Sequence, residues 1–155
     1  GEMFDLCEKA LEKEAAVCVP YSFRGPKRMP SLRQDPDHAI TTVGKDEIKP
    51  IMFFASGCVA IPMESLLKTL DICTRENTPP EFKVHWCVDT GECKVTRFPS
   101  LFKPMCIELE NGDTEYLSED YSCSARMTLA GVPQLAWLKP QLKHWGECAF
   151  TLPTE

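Results

Sequence analysis

Residues 82–123, FKVHWCVDTGECKVTRFPSLFKPMCIELENGDTEYLSEDYSC, contain two β-hairpin signals and four of the nine cysteines. In the first half, β-forming runs at 82–88 and 92–98 flank an Asp89-Thr90-Gly91 turn, where Gly91 can adopt the positive φ that such loops require. Counting outward from this turn places Cys87 opposite Cys93, at a Cα separation that a disulfide can bridge. The stretch therefore predicts a cysteine-braced β-sheet.

The second half of the stretch predicts an acidic hairpin. Residues 106–110 and 114–117 flank Asn111-Gly112, a strong signal for a two-residue turn. Residues 106–123 contain six acids and no Lys or Arg. A two-residue turn would place Glu110 opposite Asp113 and Glu108 opposite Glu115, and opposed like charges are destabilising. Full solvation, a basic partner or a hard cation would each explain this arrangement, although no EF-hand spacing supports calcium.

Residues 3–18 show the spacing of an amphipathic helix. Phe4, Cys7, Leu11 and Cys18 fall on or near one stripe, with charged residues on the other side. Over 11 residues a helix rises about 16 Å, which is too far for a Cys7–Cys18 disulfide. We expect both cysteines to bond elsewhere and to attach the helix to the sheet.

Residues 19–50 predict a long loop, with five prolines and no sustained periodicity. The loop holds a basic cluster interleaved with aromatics, and its candidate binding residues are Tyr21, Phe23, Arg24 and Arg28. The alternative is a solvated loop whose aromatics dock on the sheet. The Lys27-Arg28 pair resembles a dibasic processing site.

The remaining elements follow from local patterns. Residues 51–61, IMFFASGCVAI, predict a central strand covered on both faces. Residues 63–74 predict a helix with an apolar stripe of Met63, Leu66, Leu67, Leu70 and Cys73. Residues 125–129 predict a strand. Pro133 and Pro140 exclude one continuous helix in the last part of the chain, where Trp137 and Trp145 are expected to cover the edge of the core.

Nine spread cysteines without a Cys-x-x-Cys pair favour disulfides in an oxidising compartment over a zinc site. An odd count leaves one thiol unpaired or joined to another chain. The alternative is a cytosolic protein whose reduced cysteines fill core positions. The candidate disulfide cysteines are Cys7, Cys18, Cys58, Cys73, Cys87, Cys93, Cys106 and Cys123.

Length, charge and hydropathy bound the function classes. A chain of 155 residues fits one domain, residues 1–155. A net charge of −6 argues against a general nucleic-acid binder and is compatible with a basic partner. We find no apolar run long enough to cross a bilayer and no signal-peptide pattern at the N-terminus. The sequence predicts no cofactor and no metal.

A catalytic interpretation has two weak candidates. Cys58 follows Ser56-Gly57 before a predicted helix and would need His85 or His144 as its base. The second candidate is an acidic pair on the hairpin, but a hairpin tip is normally convex rather than a cleft.

Taken together, the patterns predict a single α+β domain. We expect an antiparallel sheet of about five to seven strands, flanked by two helices and braced by up to four disulfides. The expected function is that of a non-enzymatic, secreted or surface-exposed recognition protein (an effector, inhibitor or ectodomain module). It is expected to bind another macromolecule, and we expect a protein, through the acidic hairpin or the proline-rich loop. The alternatives are a hydrolase-type enzyme and an intracellular adaptor with reduced cysteines.

Overall fold

The computed structural model describes residues 1–21, 32–34, 40–41, 43–54, 57–75, 82–87, 93–98, 100–109, 111–140, 144–145 and 149–150, with the backbone alone for 74–75, 82–87, 93–98, 144–145 and 149–150. Within these ranges the chain forms three helices and ten strands. In chain order they are α1 (Glu2–Lys13), β1 (Ala16–Cys18), β2 (Ile48–Pro50), β3 (Val59–Ala60), α2 (Met63–Arg75), β4 (Phe82–Cys87), β5 (Cys93–Phe98), β6 (Met105–Glu108), β7 (Thr114–Leu117), α3 (Glu119–Leu129), β8 (Gln134–Trp137), β9 (His144–Trp145) and β10 (Ala149–Phe150). The predicted α+β class is confirmed.

The main sheet is mixed rather than antiparallel. Its strand order is β2-β8-β1-β3, with β8 parallel to β1 and the other two pairings antiparallel. The remaining described strands form three separate antiparallel pairs, β4–β5, β6–β7 and β9–β10. The expected single antiparallel sheet of five to seven strands is therefore wrong, because the hairpins do not join the central strands.

The first helix is shorter than predicted, because the chain turns into a strand. Glu14 caps α1 in the left-handed conformation, with φ 48° and ψ 39°. Residues 16–18 then form β1, and all three are fully buried. The run AAVCV is thus the buried central strand, and the prediction that Cys18 belongs to the helix is wrong.

The central strands separate two hydrophobic clusters. Val17 packs with Leu6 and Ala10 of α1, whereas Cys18 packs with Cys123 and other residues of the second cluster. Since successive strand residues point to opposite faces, β1 supplies both clusters. The result is three layers, with α1 on one side of the sheet and α3 on the other.

Two further strand predictions are wrong. Among the described residues of the predicted central strand at 51–61, which are 51–54 and 57–61, Val59–Ala60 is a strand and Phe53 contributes one isolated bridge to Arg33. Residues 125–129 belong to α3, which has acids in its first turn and Arg126 in its last turn, as the helix dipole favours. The helix predicted at 63–74 and both hairpins are confirmed.

Helix α3 connects three neighbouring segments through buried polar side chains. The Ser122 hydroxyl accepts from the Met105 backbone N–H at 3.0 Å and donates to the Leu117 carbonyl at 3.0 Å, which holds both strands of the β6–β7 hairpin. The Ser124 hydroxyl accepts from the Phe54 N–H at 3.0 Å. The Arg126 guanidinium donates to the carbonyls of two residues of the 101–103 segment, at 3.1 and 2.8 Å. Each of these bonds pairs a backbone group of a neighbouring segment with a side chain of α3.

Candidate functional site

The acidic hairpin has a three-residue loop instead of the predicted two-residue turn. Leu109 donates its N–H to the Asp113 carbonyl at 2.8 Å, and Gly112 donates to the Leu109 carbonyl at 2.9 Å. Gly112 has φ 84°, as the left-handed position of such a loop requires. The Asn111 side chain fixes the turn by bonding to the backbone and carboxylate of Asp113.

This loop changes the register of the acids. Glu108 lies opposite Thr114, and Glu115 lies opposite Ile107. The predicted opposition of Glu108 and Glu115 is therefore wrong, and its electrostatic cost is absent. Glu110 lies outside the described residues.

The outer face of the hairpin is polar and aromatic. Cys106 and Tyr116 form an exposed cross-strand pair beside Glu108 and Thr114. The Tyr116 side chain is 67% exposed. Among the described residues, salt bridges join Lys49 to Glu47 and Lys139 to Asp46, and neither of these two pairs includes an acid of the hairpin.

Arg33 of the proline-rich loop and Phe53 meet at Tyr121 of α3. Phe53 stacks on the Tyr121 ring with centroids 4.9 Å apart, and the Arg33 guanidinium lies 5.8 Å from the same ring. Burial raises the pKa of Tyr121, Arg33 opposes that rise, and Asp120 and Glu115 add to it. Arg33 thus places positive charge beside the acidic hairpin.

Tyr21 is the one predicted loop contact within the described residues, and Phe23, Arg24 and Arg28 lie outside them. The Tyr21 ring packs on Gly57, where an added Cβ would meet its Cε1 at 2.5 Å. Burial, followed by the charge of Asp120, raises the pKa of the Tyr21 hydroxyl. The ring is thus docked on the domain, as the alternative interpretation of the loop expects.

The cysteines correct the disulfide prediction. Every cysteine whose side chain is described is a thiol, namely Cys7, Cys18, Cys58, Cys73, Cys106 and Cys123. The predicted bracing by up to four disulfides is therefore not supported. Cys7 and Cys18 do not attach α1 to the sheet through disulfides. The predicted juxtaposition of Cys87 and Cys93 is confirmed by the β4–β5 register, whereas their side chains and Cys148 lie outside the description.

Cys58 does not have the environment of an activated nucleophile. Burial raises the pKa of its thiol, and the nearby Cys7 adds to the rise. A cysteine nucleophile needs the opposite shift, toward the thiolate. The side chains of His85 and His144, its candidate bases, are not among those described. Burial also raises the pKa of the Cys123 thiol, to about 12.

The apolar stripe of α1 faces outward, contrary to the sequence prediction. The buried residues of this helix are Leu6 and Ala10. The exposed ones include the predicted core stripe, with Phe4 75% and Leu11 66% exposed, together with Met3 and Cys7. At about 100° per residue, the buried apolar residues and the exposed apolar residues lie on adjoining arcs of the helix. The domain therefore covers only part of the apolar face of α1.

Helix α2 shows the same displacement. Its buried side chains are Ser65, Thr69 and Cys73, which succeed one another every four residues. Met63 and Leu67, from the predicted core stripe, are 67% and 57% exposed. Small, partly polar residues therefore face the domain, and large apolar ones face outward.

The two outward stripes meet at a cavity of about 550 Å³. Leu11 and Met63 both line it, and Pro62 and Pro133 add apolar surface. Its charged lining is balanced, with two lysines (Lys13 and Lys68) and two glutamates (Glu14 and Glu64). We call the cavity and the two stripes the α1–α2 surface, whose exposed apolar residues are Met3, Phe4, Cys7, Leu11, Met63 and Leu67.

This surface was not predicted, because the apolar stripes of both helices were expected to face the core. The available signal was the width of the apolar arc. The six apolar residues of α1, at positions 3, 4, 6, 7, 10 and 11, spread over about 160° at 100° per residue, and Leu6 and Ala10, which are buried, occupy one edge of that arc.

Among the described residues, no group of three His, Cys, Asp or Glu side chains could hold a metal ion. None of the helices in those ranges is long and apolar enough to cross a membrane. No protein-family model, curated protein or solved structure matches this chain.

Proposed function

We propose that this protein is a non-enzymatic recognition protein that binds another protein, and that the α1–α2 surface is its main interface. The observation that carries the proposal is the outward orientation of both apolar stripes. Single exposed apolar residues are common on protein surfaces, but a contiguous group of large ones marks an interaction site. Five of the large apolar side chains that are exposed in the described residues lie on these two helices.

The apolar area supports an interaction of moderate strength. Covering what remains exposed of five such side chains contributes roughly 1–2 kcal/mol each, or about 5–10 kcal/mol in total. Association itself costs about 4–15 kcal/mol, so polar contacts must add to the apolar term. We therefore expect a dissociation constant in the micromolar range, of a kind typical of reversible recognition.

The β6–β7 hairpin is the second candidate contact for the same function. Tyrosine is enriched at the energetic centres of interfaces, and Tyr116 is exposed among carboxylates. The acids of this hairpin suit a basic partner segment by steering its approach.

The state of the cysteines distinguishes the two possible locations of the protein. Spread cysteines favour secretion, whereas the six described thiols favour the intracellular adaptor, in which the cysteines are reduced. Both alternatives are recognition proteins, so the proposed interface serves either one.

The test is affinity capture with matched variants. The immobilised protein, a Phe4→Ala/Leu11→Ala/Leu67→Ala variant and a Phe102→Ala control are each exposed to extract from cells that express the protein. Alanine preserves helix propensity, and Phe102 is an exposed residue outside α1 and α2.

We expect quantitative mass spectrometry to find proteins that the wild type and the control retain and that the triple variant loses. Equal recovery on all three proteins would overturn the assignment of the interface to these helices.

A further inference from the structure

The rim of the α1–α2 surface is acidic. On α1, Glu8 and Glu12 are exposed and follow Phe4 on the helical wheel, at the border of the stripe away from the domain. On α2, Glu64 and Asp71 are exposed and lie beside Leu67 on the helical wheel, at the border of the stripe away from the domain. Each apolar stripe is therefore bordered by two carboxylates.

The shape of the surface suits a helix. The 550 Å³ cavity is within the size range of pockets that accept apolar groups, and a stripe leads away from it on each side. An amphipathic helix offers anchors at i, i+3, i+4 and i+7 that would fill the cavity and follow a stripe. Strand addition is disfavoured here, because β3, which leads into the cavity through Pro62, has only two residues.

The charge of the rim selects among helical occupants. In a symmetric contact with a second copy, each acidic border would face a like surface, which is unfavourable. An anionic membrane would be repelled by the same carboxylates. A helix with Lys or Arg beside its apolar face would instead pair with them.

We propose that the α1–α2 surface binds a basic amphipathic helix of a partner protein. The proposal rests on the recognition function proposed above and specifies the chemistry of the occupant. The partner helix places an apolar side chain between Leu11 and Met63 and sets basic side chains against Glu8, Glu12 and Glu64.

The experiment uses two stapled, fluorescently labelled helical peptides of about 18 residues. They share the same Leu and Phe positions, and their remaining positions carry Lys in one and Glu in the other. Fluorescence anisotropy measures binding to the full chain, to the triple alanine variant and to a Glu8→Gln/Glu12→Gln variant. A Glu47→Gln variant, which removes an exposed carboxylate outside both helices and the hairpin, is the control for the loss of negative charge.

We expect the Lys peptide to bind with a Kd of about 10–100 μM and the Glu peptide at least about tenfold more weakly. The triple alanine variant should bind the Lys peptide about tenfold more weakly, the Glu8→Gln/Glu12→Gln variant several-fold more weakly, and Glu47→Gln as well as the wild type. Equal binding of both peptides would overturn the basic character of the partner.

Sedimentation equilibrium separates this failure from a failure of the recognition function. Absence of peptide binding together with self-association that the alanine variant abolishes would replace the basic helix by a second copy. Absence of both would overturn the proposal for this surface, while the capture experiment decides independently whether these helices bind a partner at all.

Discussion

At the scale of single residues, polar side chains of α3 support the neighbouring β6–β7 hairpin through hydrogen bonds. Ser122 Oγ satisfies backbone groups of both β6 and β7, whereas Ser118, at the N-cap of the same helix, makes no side-chain capping bond. Ser122 therefore supports the β6–β7 hairpin through its side chain, whereas the Ser118 side chain supports no backbone group at the start of α3.

We expect Ser122→Ala to lower the free energy of unfolding by about 1–3 kcal/mol, because the partly buried N–H of Met105 loses its acceptor. Ser118→Ala is the matched control and should change it by less than about 0.5 kcal/mol. Urea unfolding of the two variants measures the difference. Equal effects would show that the Ser122 bonds do not hold the hairpin.

The half-buried tyrosines, Tyr21 and Tyr121, set a second expectation, at alkaline pH. The pKa values of Tyr21 and Tyr121 lie above their ordinary value of 10.0 in the folded protein, chiefly because of burial. The unfolded chain therefore releases these protons first, so the stabilisation is complete below about pH 10 and is lost as pH rises toward the folded pKa.

The free energy of unfolding, measured at several pH values between about 8 and 11, should fall as pH rises. In a Tyr21→Phe/Tyr121→Phe variant, this free energy should fall less steeply. The buried cysteine thiols also lower the unfolding free energy as pH rises, and they begin to do so at a lower pH than the tyrosines. Their contribution is the same in the wild type and in the phenylalanine variant. An identical slope in both proteins would contradict the contribution of the tyrosines.

At the scale of elements, α1 offers a direct comparison between its two faces. Leu6 is 1% exposed and Leu11 is 66% exposed. We expect Leu6→Ala to cost about 2–5 kcal/mol of stability, as a large-to-small core substitution does. Leu11→Ala should cost less than about 0.5 kcal/mol, because it removes a surface side chain from a helix. Comparable losses in thermal unfolding would show that Leu11 is buried.

The hairpin carries the electrostatic prediction. Reversal of Glu108, Glu110 and Glu115 to Lys should leave the fold intact and weaken association with a captured basic partner at low salt. The difference should fade as salt rises, since charges are screened over about 8 Å at physiological ionic strength. Binding unchanged by the triple reversal at low salt would exclude this hairpin from the interface.

Local signals predicted some elements well and others poorly. The β4–β5 hairpin and α2 were predictable, because turn residues and periodicity act over a few neighbouring positions. The run at 16–18 was assigned to a helix, although its burial depends on β8, which lies more than 100 residues later. The α1–α2 surface was missed because a wheel pattern shows which residues share a face but not whether the domain covers that face.

At the scale of the whole molecule, the cysteines test both the structure and the location. Without reductant, iodoacetamide should modify Cys7 and Cys106 in the folded protein, because both are exposed. Cys18, Cys73 and Cys123 are buried and should react only after unfolding. Peptide mapping by mass spectrometry measures each site. Cysteines among these that resist alkylation even when unfolded would restore the disulfide-braced, secreted alternative.

The parallel pairing of β1 with β8 has a consequence for synthesis of the chain. Val17 pairs with Leu135, so the centre of the main sheet closes only after nearly the whole chain is present. Contacts between such distant positions slow folding, and a nascent chain grows by only about 5–20 residues per second. During translation, β1 can meet β3 early but waits for several seconds for β8. In that interval one edge of this apolar strand is unpaired, which exposes the growing chain to aggregation.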